Sequence, residues 1–259
     1  MSSILLKIEN KIAFITLNRP EVFNSFNREM ALTLQSILDD CEKDEDVRAI
    51  VLTGSGKAFC AGQDLKEVTD PELNPGFKKI LEEHYNPIIT RIRSIKKPII
   101  GAINGVAAGA GANIALACDI VVAHEKVTFI QAFSLIGLIP DSGGTFFLPR
   151  LIGFQKAQAL AMLGDKVSAE EAESLGMIYK MIPLENFEKE VEKLGLKLAI
   201  MPTKALGMIK ELFNQSMTND LNAQLALESK LQIEAAQSED YREGVAAFIE
   251  KRKPNFKGQ

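Results

Sequence analysis

The chain is 259 residues long and 46% apolar, with 30 Lys plus Arg against 34 Asp plus Glu and a net charge of −4. Such a length buries a full core without a disulfide or metal staple, and the acidic balance offers no electrostatic footprint for a nucleic-acid partner. An anionic ligand would have to be met by local positive groups.

The opening "MSSILLKIENKIAF" has no basic start leading into a long apolar run, and no stretch approaches the roughly 18 unbroken apolar residues of a membrane span. An unprocessed, cytoplasmic protein with no membrane partner is expected. Strand-like β-branched runs bounded by turn residues occur at 11–18, 48–54, 97–103 and 118–124. In 27–42, Met30, Leu34, Ile37, Leu38 and Cys41 fall on one helix face behind Asn27 as a cap, and a further helix is predicted over about 78–95. Strands alternating with helices over the first 185 residues predict an α/β core with largely parallel pairing. Ser168 and Glu171 have the spacing of a capping box, and 185–200, 202–217, 220–237 and 239–252 all read as helices. Pro202, in "LAIMPTK", makes 195–202 the natural hinge before the last helices. Cys41, Cys60 and Cys118 are far apart and odd in number, so reduced, packed thiols are expected rather than a disulfide or zinc framework.

Two glycine-rich stretches fail as nucleotide loops. "TGSGKAF" lacks the first P-loop glycine, which would be Val51, and has Ala58 where magnesium needs a hydroxyl; the third glycine of a dinucleotide fingerprint would fall on Ile114. What remains is a small-residue turn entering a buried helix near Gly109 or Ala110, and a second turn, "FCAGQDL", in which Ala61 and Gly62 clear space around backbone amides. The first N–H groups of a helix have no internal partner and can donate to an oxyanion. "GLIPDSGGT" adds one carboxylate, Asp141, in a segment whose residues equally suit a plain turn. Two donor clusters and one acid form a set for carbonyl chemistry, the donors holding a developing enolate while the acid moves a proton. His84 and His124 are the only histidines; neither has a nucleophile at a telling spacing, and no metal centre is expected.

The segments "TLNRPEVFNSFN", "GKAFCAGQDL", "KPIIGAINGVAAGAGANIALACDI", "IGLIPDSGGTFFLPRLIG" and "YREGVAAFIEKRKPNFKG" occur in the order of the crotonase, or enoyl-CoA hydratase/isomerase, superfamily, and the chain resembles that family over nearly its whole length. The resemblance implies a spiral core of repeated ββα units over 1–195 and a helical region over 196–259 used for trimer contacts, the trimers commonly pairing into hexamers. It implies an acyl-CoA thioester as substrate, with coenzyme A entering as part of it and no separate cofactor. Carried over by position, the oxyanion hole is the N–H of Gln63 and that of Ala110, beside Gly109, and CoA lies along Ala61, Gln63, Asp64, Leu65 and Lys66. The two glutamates with which hydratases hold water would fall at Asn113 and Phe133, so hydration by that route is not expected.

An aspartate at 141 resembles dienoyl-CoA isomerases, chlorobenzoyl-CoA dehalogenases and phenylacetate-pathway isomerases, and "GLIPDSGGT" together with "YNPII", "DYREGVAAF" and "KRKPNF" most resembles the last group, which rearranges ring-1,2-epoxyphenylacetyl-CoA to oxepin-CoA and shifts double bonds in enoyl-CoAs. The expected mechanism has Asp141 as the single base, in a dry pocket near Phe133 and Leu138, with Asn113 orienting it or filling the vacated glutamate site. Phe23, Phe26, Phe77 and Phe133 are candidates for an aromatic acyl pocket. The rivals are a hydratase, a dehalogenase with Asp141 as nucleophile and His84 assisting, and a non-catalytic RNA-binding or assembly member. Against RNA, Lys189, Lys193 and Lys197 interleave with Glu185, Glu188, Glu190 and Glu192 as a paired, solvated face.

Overall fold

A computed structural model describes residues 2–259. The N-terminal hairpin of β1 (Ile4–Glu9) and β2 (Ile12–Leu17) begins a six-stranded sheet of order β1-β2-β3-β5-β7-β10, parallel throughout except for that hairpin. Its other members are β3 (Ala49–Gly54), β5 (Ile99–Ile103), β7 (Ile120–His124) and β10 (Lys180–Ile182). A second sheet, β4-β6-β8-β9, is made of three-residue strands: β4 (Ala58–Cys60), β6 (Val106–Ala108), β8 (Thr128–Ile130) and β9 (Lys166–Ser168). Thus β3 is followed by β4 and helix α2 (Leu65–Thr69), β5 by β6, and β7 by β8, each time crossing from the large sheet to the small one before a helix. This is the repeated ββα spiral.

The four strands legible in the sequence are present, each trimmed by a residue or two. β1, β10 and the whole second sheet are additional: the three-residue strands carry no readable period, and β1 buries only Ile4 and so shows no alternation. All five residues of β5 are buried, as expected for a parallel strand covered on both faces.

Helix α1 (Arg28–Lys43) begins as the pattern predicts: Asn27 Oδ1 accepts from Met30 N at 3.0 Å, and Met30, Leu34, Leu38 and Cys41 are buried. The helix expected over 78–95 is three pieces: α3 (Phe77–Lys79), a π-helical stretch (Ile80–Tyr85) and α4 (Asn86–Ser94). The extra residue per turn of the π stretch puts both His84 and Tyr85 inside. Further helices are α5 (Ala110–Ala117), α6 (Gly144–Ile152), α7 (Phe154–Leu163), α8 (Ala169–Ser174) and α9 (Phe187–Ala199). Only one arm of the capping box forms: Ser168 Oγ accepts from Glu171 N, while the Glu171 carboxylate pairs with Lys156.

Helix α9 runs through position 195 and packs Phe187, Val191 and Ala199 on the large sheet, against Ile12, Val51, Ile100 and Val122. After a turn at 200–202 come α10 (Thr203–Ser216), α11 (Leu221–Ala235) and α12 (Glu239–Glu250). Arg48, buried beside β3, donates to Met201 O, Thr203 Oγ1 and Phe256 O at 2.6, 2.9 and 2.8 Å, tying both the turn before α10 and the C-terminal tail to the core. Helices α11 and α12 leave Leu221, Leu225, Ile233, Phe248 and Ile249 exposed. No helix of the described residues is long and apolar enough to cross a membrane.

Candidate active site

The two donor turns meet. Phe26 N–H donates to Gly62 O at 2.7 Å and Asp64 N–H to Phe26 O at 2.8 Å, a parallel bridge centred on Gln63. In such a bridge the flanking peptide groups make the bonds, so the N–H of Gln63 points away from Phe26. Gly62 has φ +93°, and a Cβ there would lie 3.2 Å from Ala108 O and 3.5 Å from Ala110 N; only glycine lets the loop lie this close to the second turn. Ala110 is the first residue of α5 and has no acceptor for its N–H within the helix. Two peptide donors from two ββα units therefore sit side by side, with the Phe133 ring packed over Gly109.

Asp141 follows the exposed residues Ile136, Leu138 and Ile139. Its loop turns through left-handed conformations at Ser142 (φ 51°) and Gly143 (φ 74°) before α6 begins. Two donors hold its backbone carbonyl: Gly144 N–H at 2.8 Å and the Asn113 side-chain amide at 2.9 Å. Asn113 is fully buried, and its Oδ1 accepts from Gln131 Nε2 at 2.8 Å. A Cβ on Gly144 would stand 2.3 Å from Asn113 Nδ2, which explains the second glycine of the motif. Asn113 therefore orients the Asp141 main chain, one helical turn after Ala110, rather than its carboxylate.

Among the described residues, the side chain that donates to the Asp141 carboxylate is Ser142, through Oγ at 2.9 Å. Burial raises its pKa above the ordinary aspartate value, and the Ser142 hydroxyl offsets part of that rise. The group is half-buried and pairs with no cation among the described residues, a state suited to exchanging a proton. Beside it lies an apolar cavity of about 570 Å³ whose lining includes Gln131, Leu138, Pro140, Gly144, Leu148 and Met162. The four phenylalanines considered from the sequence do not line it. Phe26 is core, Phe23 and Phe77 are exposed, and Phe133 covers Gly109 instead.

Of the residues expected along CoA, Ala61, Leu65 and Lys66 are exposed at the rim of the donor turn. Asp64 is not: its carboxylate pairs with Arg19 at 2.7 Å and caps α2 through Lys66 N at 2.9 Å, which keeps the residue buried. His84 is fully buried, with Nε2 3.3 Å from Arg28 Nη1 and its pKa lowered by burial. His124 bonds Asn104 O at 2.7 Å and accepts from Lys126 N. The three cysteines are buried, with burial pushing Cys41 up to about 11 and Cys60 and Cys118 up to about 12.

Four residues at the site were not anticipated: Gln131 behind Asn113, and Arg28, Glu67 and Tyr85 around the Gln63 side chain. The only sequence signal was a polar residue inside an otherwise apolar pattern. That pattern does not reveal partners 22 or 39 residues away.

A sequence profile described as enoyl-CoA hydratase/isomerase matches residues 7–259. The chain is 46% identical to the 1,2-epoxyphenylacetyl-CoA isomerase of Escherichia coli K12 over all of both chains. It is 45% identical to a Rhodobacter capsulatus protein named as a probable enoyl-CoA hydratase, over 99% of this chain and 98% of that one. The crystal structure of enoyl-CoA hydratase from Bacillus anthracis superposes with a TM-score of 0.92 at 32% identity, covering 99% of this chain and 100% of that one. With its ββα spiral and paired donor turns, the chain belongs to the enoyl-CoA hydratase/isomerase family.

Proposed function

We propose that this enzyme is an acyl-CoA isomerase working through a thioester enolate, with Asp141 as its single acid–base group. The thioester oxygen accepts from Gln63 N–H and Ala110 N–H, each such donor typically supplying about 3 kcal/mol at the transition state. Asp141 removes a proton from C2 of a 3-enoyl-CoA, the electron pair passes into the dienolate, and the same carboxyl returns the proton at C4, giving the conjugated 2-enoyl thioester. One carboxyl suffices for a transfer on one face. Ring-1,2-epoxyphenylacetyl-CoA, opening to oxepin-CoA, is proposed as a second substrate, supported by the name of the E. coli relative. The apolar cavity beside Asp141 is proposed to take the acyl group, and the rim from Ala61 to Lys66 to take CoA.

The observation that carries this reading is the isolation of the carboxyl. Asn113, which holds the Asp141 main chain, is an amide whose two polar atoms are both engaged by protein, so position 113 offers no second base to activate water. We further propose that residues 196–259 join three copies, two trimers pairing, on the strength of the apolar residues exposed on α11 and α12. The test is Asp141→Asn assayed on a 3-enoyl-CoA, with hydration of a 2-enoyl-CoA measured alongside. Loss of isomerisation by a factor of about a hundred or more, with CoA-thioester binding retained, is expected. Efficient hydration by the native enzyme, or an unimpaired variant, overturns it.

A further inference from the structure

We infer that Tyr85 and Glu67 are positioning residues that hold the Gln63 N–H in its donating orientation by clamping the Gln63 side chain from both ends. The inference rests on the proposed role of that N–H at the thioester oxygen. Gln63 Nε2 donates to Glu67 Oε2 at 2.7 Å, Tyr85 Oη donates to Gln63 Oε1 at 3.0 Å, and Glu67 Oε1 accepts from Arg28 N, at the start of α1, at 2.7 Å. Tyr85 and Glu67 are 1% and 8% exposed.

The direction of every bond is determined. The Arg28 N–H can only donate, so Glu67 accepts there; a carboxylate also accepts from the Gln63 amide nitrogen, which leaves the amide oxygen facing Tyr85. Burial holds the Tyr85 phenol well above its usual range, so it keeps the proton it donates.

The clamp matters because of what it follows in the chain. The N–H in question belongs to the Gly62–Gln63 peptide, whose carbonyl is held by Phe26 N–H but whose nitrogen side bonds to no neighbouring strand. Gly62, at φ +93°, gives that peptide no steric restraint of its own. The Asp64 N–H to Phe26 O bond fixes the peptide that follows, and the Gln63 side chain adds an anchor on the residue between the two peptides. The π-helical stretch is what brings Tyr85 to it, with the ring edge-on to Phe26 at 6.0 Å.

The test binds a dimethylaminocinnamoyl-CoA thioester, whose absorbance moves to the red as its carbonyl oxygen accepts hydrogen bonds, to the native protein and to Tyr85→Phe. This readout needs no turnover and is independent of Asp141. The native protein should shift the chromophore, and Tyr85→Phe should lose about half of that shift or more, with kcat on a 3-enoyl-CoA down about tenfold and KM within about twofold. If Tyr85→Phe keeps the full shift and kcat, Tyr85 is packing alone and the inference fails. If the native protein shows no shift, the oxyanion reading falls and takes the clamp with it. Should Tyr85→Phe not fold cooperatively, Gln63→Met, which removes both side-chain bonds and leaves Tyr85, Glu67 and Phe26 in place, decides by the same criterion.

Discussion

The side-chain amide of Asn113 donates to the main-chain carbonyl of Asp141 at 2.9 Å, so Asn113 acts on the loop that carries the proposed base. Removing it in Asn113→Ala leaves Asp141 O short of one donor and the Gln131 amide unpaired in a buried site. A loss of about 2–4 kcal/mol in urea unfolding is expected, with kcat reduced more than KM is raised.

Gly144→Ala tests the same contact from the other side, since its Cβ would stand 2.3 Å from Asn113 Nδ2. Displacing Asn113 moves the Asp141 loop, and a misplacement of about 1 Å is expected to lower isomerase kcat/KM about a hundredfold. Steady-state kinetics on a 3-enoyl-CoA measures it. Activity close to native would show that the loop is not held from this side.

Under the proposed mechanism Asp141 sets the pH dependence of both rate and stability. As the base it must be ionised, so kcat should fall on the acid side through a pKa above the ordinary aspartate value. The linkage runs the opposite way: a carboxyl whose folded pKa is raised stabilises the fold when protonated and loses that contribution as pH rises through the folded pKa. Asp141→Asn should therefore raise Tm at pH 7, with the gain vanishing below the unfolded carboxyl pKa of about 3.9. A Tm gain that persists at acid pH would contradict this.

Arg48 joins β3 to the turn before α10 and to the tail through three hydrogen bonds from one buried guanidinium. Arg48→Ala is expected to cost about 3–5 kcal/mol in urea unfolding and to open the chain beyond Arg252 to limited proteolysis. Native resistance to protease would show that the tail is held elsewhere, for instance by Asp240, which accepts from Lys257 N and Gly258 N.

Native thiols should be inert to a disulfide reagent at pH 8, because Cys41, Cys60 and Cys118 are buried and their pKa values pushed up to about 11–12. All three should react on unfolding. Fast reaction of even one thiol in the native state would reveal local opening.

The elements legible in the sequence were those with a period long enough to read: the sixteen-residue α1 behind its Asn27 cap, the apolar parallel strands, and the four closing helices. The three-residue strands of the second sheet were not, since their pairing depends on distant partners, such as Val106 for Ala58 and Phe129 for Ala107, and not on local alternation. The π stretch was hidden because one extra residue in a turn leaves the apolar pattern almost unchanged. Asp64 and Asn113 are visible in the sequence as polar residues in telling motifs, yet the side chain of one turns to Arg19 and that of the other to a main-chain carbonyl.

By itself the sequence determined the chemistry on offer: small residues that bare two backbone donors, one carboxylate between an apolar run and two glycines, and no second acid at Asn113 or Phe133. Those are properties of residue type and local spacing. Only the tertiary structure decided that Gly62 lies against Ala110, that Asn113 supports the loop and not the carboxylate, and that Tyr85 reaches Gln63. These relationships join residues that are 22 to 48 positions apart, and close packing of the ββα units, not local propensity, brings them together.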